Sequence, residues 1–165
     1  MYKVLVVIVF SVLFYSASLY SQVTSKYDTQ NDAIDVEEFM GMLDGIFSDN
    51  LIDEMTYNLP DDISIYSYGI GDFTNDGYLD LAIAYKDNDC PKKTFKVILL
   101  ININNSTFKK AFDFYAQWRD TPFDVGFSIN KNIVNITYRK NKYWVFSSYT
   151  IQGDMLKEIR EEMYK

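Results

Sequence analysis

Ile133-Val134-Asn135-Ile136-Thr137-Tyr138, Arg139-Lys140-Asn141-Lys142, Tyr143-Trp144-Val145-Phe146-Ser147-Ser148-Tyr149-Thr150-Ile151-Gln152 reads as a β-prone run, a polar turn and a second β-prone run. On a pleated strand successive side chains face opposite sides, so Tyr143, Val145 and Ser147 share one face while Trp144, Phe146 and Ser148 share the other. Working outward, Gly153-Asp154 offers glycine first, as a type II′ turn requires, ahead of a run over 155–159. Upstream, Asn130-Lys131-Asn132 is a short hairpin connection from a run over 127–129. Further β-prone runs occupy 63–69, 81–85 and 95–103. Runs this short, each broken by turn residues, predict a β-meander with sequential antiparallel pairing. The segment 108–118 reads two ways: Phe108, Phe112 and Tyr115 fit a helix, and Phe112 and Phe114 fit a strand.

Ahead of the strands stands one helix. Asp35 and Glu38 match a capping box and Ile34 and Phe39 the hydrophobic staple around it, while Val36, Phe39, Met40, Leu43, Ile46 and Phe47 recur at helical spacing. The Met and Phe stripe reads as a core-facing side rather than a partner groove. The fold expected from this pattern is α+β, with one N-terminal amphipathic helix packed on an antiparallel meander of about six strands, a single domain over residues 33–165.

Between two of the strands lies Asp72-Phe73-Thr74-Asn75-Asp76-Gly77-Tyr78-Leu79-Asp80. Side-chain oxygens recur at loop positions 1, 3, 5 and 9, with glycine at position 6. Hard cations such as Ca2+ take six to eight oxygen ligands, and alternate residues of a tight turn converge on one centre when a glycine permits the backbone reversal. The loop therefore predicts a Ca2+ site. A solvated Asp/Asn/Gly turn without metal is the alternative, since these residues favour turns for reasons of their own backbone. An EF-hand is excluded, because Ile83 stands at position 12 where a bidentate Glu is needed and the flanks are β-prone.

The wider run, Gly71 to Ala82, resembles the FG-GAP or VCBS-type motif of integrin-like β-propeller blades, a strand-loop-strand calcium site. The resemblance covers about twelve residues and implies that Asp72, Thr74, Asp76 and Asp80 supply side-chain oxygens and Tyr78 its backbone carbonyl. Two positions depart from the motif: Thr74 replaces Asn or Asp, and Asn75 replaces a Gly that often needs a left-handed backbone, a conformation Asn tolerates. Three carboxylates place the expected affinity in the range of extracellular modules, roughly 10⁻⁴ to 10⁻³ M. The motif occurs once, whereas a propeller needs at least about four blades, so the loop is read as a connector staple.

Composition narrows the chemistry. The chain has no histidine, which removes Ser-His-Asp and Cys-His nucleophile machinery and the commonest transition-metal ligand. Carboxylate chemistry survives, and a small carboxylate-dependent hydrolase acting on glycans is the alternative function. The net charge of −7 argues against nucleic acid or an anionic membrane as partner. Cys90 is the only cysteine, so no intramolecular disulfide forms, and it reads as a partly buried small residue in a loop rather than a bridge to a second chain. Aromatic residues make up 17% of the chain, including Trp118, Tyr143, Trp144 and Tyr149; they read as core more than as a sugar-stacking platform. The three Asn-x-Ser/Thr triplets at Asn104, Asn105 and Asn135 matter only in a glycosylating host.

The start of the chain sets the expected location. Lys3 precedes an apolar run over 4–14 and the small residues Ser16, Ala17, Ser18 and Ser21, the pattern of a secretory signal peptide over 1–21 followed by a flexible arm over 22–32. The run is too short for a permanent membrane anchor, which needs about 20 residues. The function expected is thus a secreted or periplasmic, non-catalytic binding or interaction module with one structural Ca2+ site and a protein or glycan partner.

Overall fold

The computed structural model describes residues 33–60, 62–117, 125–130, 132–152 and 155–165. The expected signal peptide over 1–21, the arm over 22–32, Trp118 and the Gly153-Asp154 turn lie outside the described residues.

Two short helices come first, α1 (Val36–Leu43) and α2 (Asp49–Thr56). Asp35 caps α1 as its sequence requires, its Oδ1 accepting from Glu38 N at 2.8 Å. The stripe read as one long helix is broken after Leu43: the chain turns at Gly45, whose φ is +76°, and restarts at Asp49. Phe39, Leu43 and Phe47 are buried but Ile46 faces solvent, because the turn takes it off the helical stripe.

Eight strands follow: β1 (Ser64–Gly71), β2 (Asp80–Lys86), β3 (Thr94–Ile103), β4 (Thr107–Gln117), β5 (Val125–Asn130), β6 (Ile133–Lys140), β7 (Tyr143–Gln152) and β8 (Met155–Tyr164). They form two four-stranded antiparallel sheets, β1-β2-β3-β4 and β5-β6-β7-β8. The expected α+β fold, one helix on a single meander of about six strands, is therefore corrected. The protein is mostly β, each sheet is a meander of its own, and the sequential pairing stops between β4 and β5.

The physical reason lies in β2 and β3. A sheet with one wet face alternates apolar and polar residues, yet Leu81, Ala82, Ile83, Ala84 and Tyr85 are all buried, as are Val97, Ile98, Leu99 and Leu100. The first sheet is covered on both sides. One face (Ile65, Leu81, Ile83, Tyr85, Ile98, Leu100) joins Phe39, Leu43, Leu51 and Met55 of the helices. The other (Ala82, Ala84, Phe95, Val97, Leu99) joins Phe127, Ile129, Val134, Ile136 and Val145 of the second sheet. The architecture is three layers, helices, sheet and sheet.

The ambiguous segment is β4. A register shift opposite Leu99/Leu100 leaves Ala111 unpaired. On a regular strand Phe108 and Phe112, four apart, would share a face; the bulge sends Phe108 to the helix side and Phe112 to the inter-sheet side. That interruption of period 2 is what mimicked helical spacing. The sheets meet closely along β1 and β5: a Cβ added at Gly69 would stand 2.7 Å from Phe127 Cβ, and one at Gly71 2.7 Å from Ile129 Cγ2.

Candidate metal loop and the open face of the second sheet

The loop between β1 and β2 curls because its carboxylates collect its own N–H groups. Asp72 accepts from Asp76 N at 3.1 Å and from Gly77 N at 2.9 Å, and Asp76 Oδ1 accepts from Tyr78 N at 2.9 Å. Left-handed backbone occurs at Asn75 (φ 61°) and Gly77 (φ 92°), the two positions where the turn reverses.

Asp80 opens β2 and points inward, fully buried. Its Oδ2 accepts from Phe73 N (2.9 Å), Thr74 N (3.1 Å) and Thr74 Oγ1 (3.2 Å), and its Oδ1 accepts from Asn102 N (2.9 Å) on β3. Burial pushes the Asp80 carboxyl up to about 7, against the downward pull of those hydrogen bonds from Asn102, Thr74 and Phe73. Sequence reading missed Asn102, whose side-chain amide also donates to Leu79 O at 3.1 Å. Its Oδ1 is buried and has no hydrogen-bond partner.

Of the five positions expected to ligate, three have side chains that converge. Thr74 Oγ1 stands 3.4 Å from Asp72 Oδ1 and 3.2 Å from Asp80 Oδ2. Oxygens so spaced can share one cation held 2.3–2.6 Å from each. Asp76 is turned onto Tyr78 N instead, and Tyr78 is exposed. Among the described residues no three Asp, Glu or Cys side chains gather closely enough to hold a metal ion as they stand. A cation at this loop would have to be held through mixed oxygens, carboxylate, hydroxyl and carbonyl, rather than by a cluster of carboxylates.

A second feature lies on the side of the β5–β8 sheet turned away from the first sheet. Trp144, Phe146, Ser148, Arg160, Glu162 and Tyr164 line an open concavity of about 450 Å³. An adjoining one of about 360 Å³ shares Ser148 and Arg160 and reaches Asn135 and Ile133. Of the aromatics expected in the core, Tyr149 is buried, Tyr143 and Trp144 are half-buried and Trp118 lies outside the described residues. Val145 and Ser147 point inward with Tyr149, whereas Phe146 and Tyr164 are exposed. The Arg139 guanidinium sits over the Trp144 ring, 4.4 Å from its centroid, and Tyr164 meets Phe146 edge-on with ring centroids 5.4 Å apart. Glu162 is paired with Arg160 and accepts from Tyr164 OH. Ser148 Oγ donates to Asn135 Oδ1 at 2.7 Å.

Cys90 is a half-buried free thiol in the β2–β3 connection, its N–H bonded to Asp87 O at 3.3 Å. No helix among the described residues is long and apolar enough to cross a membrane. Comparison of the chain with protein-family models, with curated proteins and with solved structures gives no match.

Proposed function

We propose that the chain is an exported, non-catalytic binding module whose Asp72–Asp80 loop takes one structural Ca2+. The convergence of Asp72, Thr74 and Asp80 oxygens carries the metal reading. Asp72, Thr74, Asp76, the Tyr78 carbonyl and Asp80 are the groups that would hold the ion. Ca2+ would supply positive charge to a buried carboxylate and bind the loop to β3, where Asn102 already tethers Asp80; an ion with all its ligands near one connection fixes structure more readily than it activates water.

The export half of the reading rests on the apolar run over 4–14 and the small residues after it. The hydrolase alternative is disfavoured by the open groove. Glycoside hydrolysis needs two carboxylates about 5–9.5 Å apart, and the larger concavity is lined by Glu162 alone, which is engaged by Arg160 and Tyr164.

The test is a thermal melt of the purified protein in EDTA and in millimolar Ca2+, beside an Asp76→Ala variant. Ligand at 100 times its dissociation constant adds about 2.7 kcal/mol, so the wild-type midpoint rises by several degrees and the variant's does not. An unmoved wild-type midpoint removes Ca2+ from the reading.

A further inference from the structure

Each sheet ends in two edge strands, β1 and β4 in the first and β5 and β8 in the second. An edge presents unpaired backbone N–H and C=O groups, and charges or bulges along it discourage a second chain from pairing there. All but one of these edges are guarded in that way. β8 carries Lys157, Glu158, Arg160, Glu161 and Glu162 and loses register at Ile159. β4 carries Lys109, Lys110 and Asp113 and bulges at Ala111. β1 breaks register at Tyr66, and Ile34 already occupies its free side, exchanging backbone bonds with Ile65 at 3.0 and 2.9 Å. β5 has none of these devices: Val125-Gly126-Phe127-Ser128-Ile129-Asn130 holds no charged residue and no proline, and it pairs with β6 along its whole length without a register shift.

The bonded side of β5 identifies the groups on its free side. Its hairpin with β6 closes on Asn130 and Ile133, and Ser128 O accepts from the Asn135 side chain on β6 at 3.3 Å. Residues alternate along an antiparallel ladder between those that exchange bonds with the neighbour and those that do not. Ser128 and Asn130 therefore bond toward β6, while Phe127 and Ile129 turn their N–H and C=O outward. Among the described residues no strand takes them. β1 lies against the inner face, Gly69 at Phe127 and Gly71 at Ile129, without pairing to the edge. On the outer face Ser128 and Asn130 are exposed, and a Cβ added at Gly126 would meet nothing within 4 Å.

We infer that β5 pairs antiparallel with β5 of a second copy of this chain, about a two-fold axis at Ser128. Ser128 then stands opposite its own counterpart, Phe127 opposite Ile129 and Gly126 opposite Asn130 of the second copy. Phe127 and Ile129 exchange the backbone bonds, their side chains stay on the buried side of the sheet, and no charge meets a like charge. The match in length and in apolar-in, polar-out alternation is built in, because an isologous pair brings the same patch to both sides. The axis stands normal to the sheet, so the two second sheets become one continuous sheet with both outer concavities, each lined by Trp144, Phe146 and Tyr164, on the same side. The inference rests on the fold and not on the calcium loop.

The experiment is sedimentation equilibrium of the purified protein, in EDTA so that no metal ion joins the copies. An edge this short buries little area, so the dimer is weak and the concentration series runs up to about 1 mM. A monomer–dimer equilibrium is expected, and added salt leaves it unchanged or tightens it, because the contact contains no ion pair and each chain carries a net charge of −7. Ser128→Glu sets two carboxylates opposite one another and raises the dissociation constant roughly threefold or more, while an unmoved melting midpoint shows that the fold is kept. Register is read by crosslinking in a Cys90→Ser background. Ser128→Cys gives a disulfide-linked dimer on mild oxidation, since directly opposed residues lie about 4.5–5.5 Å apart, within disulfide reach; Asn130→Cys, opposite Gly126, does not. A monomer at every concentration, a dimer that salt dissolves, a dimer that Ser128→Glu leaves intact, or crosslinking through Asn130→Cys alone overturns the inference. None of these outcomes alters the calcium-dependent melt, so the two readings fail separately.

Discussion

Asn102 holds Asp80 from the neighbouring strand: its backbone N–H donates to Asp80 Oδ1 at 2.9 Å, and its side-chain amide donates to Leu79 O at 3.1 Å. The β1–β2 loop is thereby fastened to the centre of the first sheet, and Asp80 is buried among the N–H donors of Phe73, Thr74 and Asn102.

That burial gives Asp80 a pH signature. Its folded value of about 7 lies above the ordinary 3.8 of a free carboxyl, so the folded chain keeps a proton that the unfolded chain releases. The stability it contributes is complete below pH 3.8 and is lost as pH rises through about 7. In EDTA, the stability advantage of wild type over Asp80→Asn should fall between pH 5 and 7 by up to about 1.4 kcal/mol per unit. Urea denaturation at a series of pH values measures it; a difference that stays flat or rises with pH contradicts it.

Gly71→Ala should destabilise the protein by about 1–3 kcal/mol. The new methyl would meet Ile129 Cγ2 at 2.7 Å, and Ile129 is itself packed between the sheets, so it has little room to yield. Chemical denaturation reads the change, and a variant as stable as wild type would mean that the β1–β5 contact relaxes without cost.

Ser147→Ala should be neutral or stabilising by up to about 1 kcal/mol, because removing an unpaired buried hydroxyl removes a desolvation cost. Ser147 Oγ is buried within reach of the Tyr138 and Tyr149 phenols, and neither contact has the alignment of a formed hydrogen bond. A loss of more than about 1 kcal/mol would instead reveal a bond to one of the two phenols.

Asp35→Ala should cost about 1 kcal/mol, the usual worth of an N-cap. The Glu38 N–H, which Asp35 Oδ1 satisfies at 2.8 Å, would turn to water, and amide exchange at Glu38 and Phe39 should quicken before the rest of α1 does.

The cap at Asp35 and the β7 run were legible in the sequence because each is decided by neighbours along the chain. β7 spans Tyr143–Gln152 as its pattern indicates. The two-sheet architecture escaped the sequence reading, which took the unbroken apolar runs 81–85 and 97–101 as strands of one meander, although one helix on one face cannot bury both their sides. α2 was harder to see, since it buries only Leu51 and Met55 and Ser48 makes no side-chain cap. The bulge at Ala111 and the tether from Asn102 depend on pairing partners distant in sequence, and no local period reports them. In the loop, spacing placed Asp72, Thr74 and Asp80 together, but not the turn of Asp76 onto Tyr78 N.

The two-sided burial of the first sheet has a consequence for synthesis. Residues 34–117 supply the helices and the first sheet, and among the described residues the strands that cover its far face, β5–β8, come later in the chain. Chains emerge N-terminus first, so Ala82, Ala84, Val97 and Leu99 leave the ribosome before the second sheet that covers them is made. A polypeptide cut short after β4 would carry a complete but uncovered apolar sheet, and its fate would be decided by chaperones and proteases rather than by its own stability.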